Sequence, residues 1–251
     1  MNGFWEYISA GSHWSGHDGI VNRLVEHLGF LLTAMVIAAV IAIPAGALIG
    51  HTRRATDVAL ALGGAGRYLP SIGVLMYLVR KSGVGNGVVL LALVVVAIPP
   101  MLTAAYVGVR SVDRRAIDAA RGLGMQPHQV LLQVEAPAAM QQVVAGVRRA
   151  ALLVTATVTV AAYVKAGGLG RLLVDGLAAN SYGEMATGAV VLAALALAVD
   201  LLIAVLGRSL VSPGLSGTYP ARAAVVTKGD YGVAAPPLPE ALELPAEAGS
   251  G

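Results

Sequence analysis

The chain has 251 residues, of which 57% are hydrophobic and only 12% charged; its formal charge is +3 and its mean hydropathy +0.74. A water-soluble domain carries about 25% charged residues, so this composition excludes a fully solvated globule and implies an integral membrane protein. The absence of cysteine excludes a disulfide framework and a thiolate metal centre. Scattered basic residues and an aromatic content of 5% argue against a nucleic-acid partner.

Residues 1–27 lack the basic n-region and apolar h-region of a secretory signal. Phe4, Trp5, Tyr7, Ile8 and Trp14 read either as a segment resting at the membrane interface, where amphipathic rings concentrate, or as a frayed polar terminus. His13 and His17 are spaced i, i+4, but no third ligand is evident nearby, so they read as surface residues rather than a metal site. Leu28–Gly50 carries no formal charge and is long enough to span a bilayer; His51, Thr52, Arg53 and Arg54 follow as an anchor.

A second span is expected over 58–79, interrupted by Gly63, Gly64, Gly66, Arg67 and Pro70. Arg67 either lines a translocation route or lies in the interface before the true span begins. The glycines at 83, 85 and 87 form a turn, and a third span follows from about Val88 to Val109. Pro99 and Pro100 are expected to disturb its middle, since each removes a backbone donor. The fourth span is expected over 143–164, with Arg148 and Arg149 in its first turns, snorkelling to headgroups. A glycine cluster, Lys165-Ala-Gly-Gly-Leu-Gly170, ends it. After a polar connector the fifth span covers 185–207, with Asp200 inside. An intramembrane carboxylate defaults to a functional residue, although a structural partner for Arg67 is an equal reading. From 211 to 251 the chain is punctuated by proline and reads as a disordered tail.

The polar stretch Ala116–Pro137, AIDAARGLGMQPHQVLLQVEAP, stands out between apolar runs. Its spacing predicts one helix ending at Gly124 and another beginning near Pro127, since glycine suits a helix C-terminus and proline the first helical position. Ala116, Ala120 and Gly124 form a small-residue ridge at i, i+4 and i+8, with Ala119 and Leu123 beside it. A partner could approach such a ridge closely.

This stretch resembles the EAA loop of ABC-importer permeases. Asp118-Ala119-Ala120, three residues, Gly124, nine residues, then Val134-x-Ala136-Pro137 keep that family's spacing, with Asp for Glu, Val for Ile and Ala for Leu. Further matching stretches are His27-Leu28 through Thr33, Tyr68-Leu69-Pro70-Ser71, Ala97-Ile98-Pro99-Pro100 with Tyr106-Val107-Gly108, and Gly167-Gly168-Leu169-Gly170. They are similar to the osmoprotectant (glycine betaine, carnitine, choline) branch. Arg67 and Lys165 depart from its pattern, and Asp200 matches an acidic position in its last span.

The resemblance implies an all-α polytopic membrane helix bundle of the type I fold, with about five spans and a cytoplasmic coupling helix. The expected division is a periplasmic or interfacial N-terminal segment 1–27, a transmembrane permease domain over 28–210 with the EAA loop at 116–137, and a disordered cytoplasmic tail over 211–251. Asp118, Ala119, Ala120, Gly124 and Pro137 would couple to the ATPase, with Arg67 and Asp200 as intramembrane polar candidates. The implied partners are separate ATPase subunits, an extracytoplasmic substrate-binding protein, a second permease and membrane lipids; no cofactor is implied. No P-loop occurs, since none of Lys81, Lys165 and Lys228 follows a glycine, so ATP hydrolysis is expected on another chain.

Nine arginines, at 53, 54, 110, 114, 115, 121, 148, 149 and 208, fall on one side of the expected topology, against five basic residues on the other. The richer side is cytoplasmic by the positive-inside rule. The N-terminus is then outside and the C-terminus inside a bacterial cytoplasmic membrane. A rival class is an ion-coupled carrier using Arg67 and Asp200, which predicts inverted repeats; no convincing internal repeat is present.

Overall fold

A computed structural model of the chain describes residues 2–53, 57, 61 and 71–210. Every regular element among them is helical: α1 (Asn2–Ser9), α2 (Ile20–Thr52), α3 (Ser71–Ser82), α4 (Asn86–Arg110), α5 (Arg114–Gly122), α6 (Pro127–Val130), α7 (Ala136–Ala161), α8 (Gly170–Ala178) and α9 (Tyr182–Leu210). A π turn, Leu131–Glu135, joins α6 to α7, and a short 3-10 turn, Ala162–Val164, follows α7.

Four stretches are long and apolar enough to cross a membrane: Ile20–Thr52, Asn86–Arg110, Pro127–Val164 and Tyr182–Ser209. They contain four of the five expected spans. The remaining one, over 58–79, falls mostly outside the described residues, and only its end is seen, in α3. Arg67 and the segment 211–251 also lie outside them.

Several boundaries differ from the sequence expectation. α2 begins at Ile20 rather than Leu28, because ion pairs hold its first turns: Arg23 reaches Asp18 at 2.5 Å and Glu26 at 3.1 Å. α4 continues through Pro99 and Pro100 instead of breaking there. Packing on both faces keeps it helical despite the lost donors. α7 begins at Ala136, so Arg148 and Arg149 lie in its middle and not in its first turns.

Small residues make that packing close. Along α2, Ala34, Ala38, Ala42, Gly46 and Gly50 recur every fourth position and are all buried. α4 lies against this stripe. A Cβ at Gly46 would sit 2.3 Å from the Leu102 carbonyl oxygen. On the other face of α4, a Cβ at Gly146 of α7 would sit 2.2 Å from the Ala104 Cβ and 3.0 Å from the Pro100 carbonyl oxygen. Lipid tails are as apolar as leucine, so helices in a bilayer associate through such close backbone approach rather than through a hydrophobic drive. α4 is thus the central helix, clasped between α2 and α7, with Leu93, Ala97, Met101 and Val154 in the shared core.

α9 is peripheral. It packs on α7, α8 and α1, and along its apolar middle Leu195 is buried, with Leu197, Leu201, Leu202, Val205 and Leu206 exposed. At the other end of the chain α1 is a formed helix. His13 stacks on the Tyr7 ring, with centroids 3.9 Å apart, and Trp14 donates its indole N–H to the Ile8 carbonyl at 2.7 Å.

Candidate functional site

The segment 113–137 is built from capping signals at both ends of a very short helix. Asp113 caps α5, its carboxylate accepting the Arg115 N–H at 2.9 Å. At the other end Gly124 takes φ +83°, the Gly124 N–H donates to the Arg121 carbonyl at 2.9 Å, and the Met125 N–H donates to the Ala120 carbonyl at 3.2 Å. That pair of bonds around a left-handed glycine is a Schellman motif. α6 then starts with Pro127, and the Gln126 N–H is satisfied by the Gln129 side-chain oxygen at 2.8 Å. Helices this short are marginal alone. A small core of Ile117, Ala120 and Val130, flanked by Val112, Met125 and Val134, holds the two together.

This core decides which residues face outward. Asp118 and Ala119 are exposed, Leu123 is 84% exposed, and a Cβ at Gly124 would meet nothing within 4 Å. Ala120 is instead turned into the core. The expected ridge of Ala116, Ala120 and Gly124 is therefore split: Ala120 packs against Ile117 and Val130, and Asp118, Ala119 and Leu123 form the accessible face. Pro137 is exposed near the start of α7. Its missing N–H leaves the Gln133 carbonyl without its usual helical donor, and the wider π turn lies next to that defect.

A contact missed in the sequence anchors the loop to the bundle. His51 Nδ1, near the end of α2, lies 2.5 Å from Glu135 Oε2, at the end of the π turn. Glu135 is 3% exposed. The only sequence signal was a lone acid within the apolar run LLQVEAP and a histidine at the end of a span. Nothing local links positions 84 residues apart.

Asp200 is likewise partnered. Arg148 on α7 grips it with two bonds, Nε to Oδ1 at 2.8 Å and Nη2 to Oδ2 at 2.6 Å. This fork-on-carboxylate geometry pairs the two ions and ties the peripheral α9 to α7. Arg148 therefore has an acidic partner that the sequence reading did not assign to it, and its side chain is still 40% exposed.

The loop supplies no nucleophile or acid–base pair. Its exposed face carries Arg114, Arg115, Asp118 and Arg121 beside Ala119 and Leu123, and its two ends run into membrane-length helices.

Residues 26–216 match the family model described as the binding-protein-dependent transport system inner membrane component. The carnitine transport permease protein OpuCB of Listeria monocytogenes is 31% identical over 186 residues, covering 74% of this chain and 85% of that protein. The choline transport system permease protein OpuBD of Bacillus subtilis (strain 168) is 33% identical over 184 residues, covering 72% and 81%. Among solved structures, the inward-facing MetNI methionine ABC transporter superposes with a TM-score of 0.69 at 21% identity, covering 76% of this chain and 96% of that one. That likeness shows the fold. The family match spans most of the chain and gives no support to the ion-coupled carrier reading. The chain is a multi-pass membrane permease component and belongs to the binding-protein-dependent transport system inner membrane component family.

Proposed function

We propose that this chain is the membrane-spanning subunit of an ATP-driven importer of quaternary ammonium osmoprotectants. The observation that carries this reading is the 113–137 loop: a self-cored helical hairpin that keeps the EAA spacing and presents Asp118, Ala119 and Leu123 outward. The transported class comes from the relatives, which are named for carnitine, choline and glycine betaine/proline betaine transport.

In this reading a separate ATPase seats against the exposed face of α5 and the Gly124 turn. ATP-driven closure of the ATPase pair pushes the loop, and the buried His51–Glu135 contact carries the push into α2. A second permease and an extracytoplasmic binding protein complete the assembly. The loop lies in the cytoplasm and Ser15 outside. Substrate moves because the two states of the assembly bind it differently, as any ligand-driven shift requires.

The test is reconstitution in liposomes with the genomically neighbouring ATPase, any second permease and the binding protein. Radiolabelled betaine, carnitine, choline, an amino acid and a metal ion are compared with and without ATP. ATP-dependent uptake of a quaternary ammonium solute is the expected result. Accumulation driven by a sodium or proton gradient without ATP refutes the importer reading. ATP-dependent uptake of the amino acid or metal alone refutes the substrate class.

A further inference from the structure

At the end of the bundle opposite the loop lies an open cavity of about 850 Å³. Its size falls within the range of about 300–1,000 Å³ usual for small-molecule sites. Three elements that are distant in sequence converge on it. α2 contributes Arg23, Glu26 and Phe30, spaced to share one helix face; α4 contributes Asn86; the glycine turn and α8 contribute Lys165 and Arg171.

The lining holds three cations, Arg23, Lys165 and Arg171, against one carboxylate, Glu26. Most of these charges are already engaged. Glu26 accepts the Gly168 N–H at 2.8 Å and the Arg23 guanidinium at 3.1 Å. The carboxylate lies against Gly167: a Cβ there would sit 2.3 Å from its oxygen, so a larger residue would displace it from this position. Arg23 also binds Asp18, and Arg171 binds Asp175 and the Ala162 carbonyl. Lys165 differs. It is exposed, and its ammonium has no hydrogen-bond or ion-pair partner among the described residues. It also occupies φ 62°, ψ 20°, a left-handed conformation that glycine adopts freely and a lysine side chain disfavours. A strained residue that projects an unpartnered charge into a cavity is a candidate for ligand binding.

We propose that this cavity receives a small zwitterion, with the Lys165 ammonium holding its carboxylate and the Phe30 ring beside its cationic end. This rests on the importer reading above and narrows its substrate class. A carboxylate gains a charge-assisted bond from Lys165, and a quaternary ammonium gains the face of an aromatic ring. Arg23 is matched by Asp18 and Glu26, and Arg171 by Asp175, which leaves the Lys165 ammonium as the unmatched cation; choline, unlike betaine and carnitine, brings no carboxylate to meet it. The cavity therefore favours betaine-type solutes over choline.

The chain has no native cysteine, so Asn86→Cys on the cavity rim is a unique reporter. In the reconstituted importer, glycine betaine and carnitine should slow its modification by an impermeant thiol reagent several-fold, and choline much less. Adding Lys165→Gln should abolish that protection, and Lys165→Arg should restore part of it. Equal protection by choline, no protection by any of the three, or protection that survives Lys165→Gln overturns the proposal. Uptake measured in parallel separates the two readings. If Lys165→Gln lowers the betaine-to-choline uptake ratio about fivefold, as loss of one partly exposed charge contact allows, the proposal is supported. An equal fall for all solutes with weakened binding-protein association marks Lys165 as a docking residue and overturns it. If the unmutated importer moves no quaternary ammonium solute, the substrate class proposed above fails on its own, and the labelling result still judges the cavity.

Discussion

Where α2 begins, ion pairs ring an open cavity; where it finishes, about 50 Å further along the helix, the ionisable pair is buried, and the adjoining loop exposes Leu123 among the charged Arg114, Arg115, Asp118 and Arg121. At the first end Arg23, Asp18 and Glu26, and separately Arg171 and Asp175, pair at positions reached by solvent. At the second, Glu135 is enclosed beside His51 while Leu123 stands almost fully exposed. The Arg23 side chain is as enclosed as that of His51, but its partners Asp18 and Glu26 are reached by solvent, and partly exposed ion pairs contribute little stability. A buried pair tolerates little rearrangement, and a loop with its own core moves as one piece. The difference matches an end that handles solute and an end that transmits force.

The sharpest way to break this comparison is topological. Single cysteines at Ser15 and Gln126, both exposed, should give opposite outcomes with an impermeant reagent on intact cells: Ser15→Cys labelled, Gln126→Cys protected. The reverse pattern would exchange the roles of the two ends.

Next in size is the buried pair. Glu135→Leu leaves the His51 Nδ1 without its hydrogen-bond partner, and stranding a largely buried polar group costs about 1–3 kcal/mol. The variant should unfold at clearly lower temperature in detergent, and the double variant His51→Leu with Glu135→Leu should recover most of the loss. A single variant as stable as the original protein would show that the contact does not anchor the loop.

Gly124→Asp should cost about 1–2 kcal/mol through its left-handed conformation and set a charge beside the docking face. The protein should still insert in the membrane, while ATPase co-purification falls about tenfold. Retained co-purification together with normal transport would remove the loop from the coupling scheme. The smallest effect is expected for Leu123→Ala. Folding should be unaffected, because the side chain touches little of its own protein, while ATPase affinity weakens several-fold if an interface covers it. Surface plasmon resonance on the detergent-solubilised permease would measure the difference.

Much of the loop was legible in the sequence because its signals are local. Gly124 and Pro127 act through turn and capping geometry within a few residues; the Asp113 cap, equally local, came only from the structure. The direction of Ala120 was not legible, since it depends on where Val130 packs after the turn. Pro99 and Pro100 were misjudged for a related reason. Their backbone defect is local, but the clasp of α2 and α7 that keeps α4 helical is not.

The sequence by itself determined the membrane class, four of the spans as hydrophobic runs, and the spacing of the loop. Those properties follow from composition and from contacts within one or two helical turns. The tertiary structure alone decided that His51 meets Glu135 across 84 positions, that Arg148 takes Asp200 across 52, and that Glu26 reaches the Gly168 N–H across 142. Which polar groups meet depends on how each helix is rotated about its axis. That rotation is set by the small-residue stripes of Gly46, Gly50 and Gly146 against α4, whose effect appears only once the helices are packed.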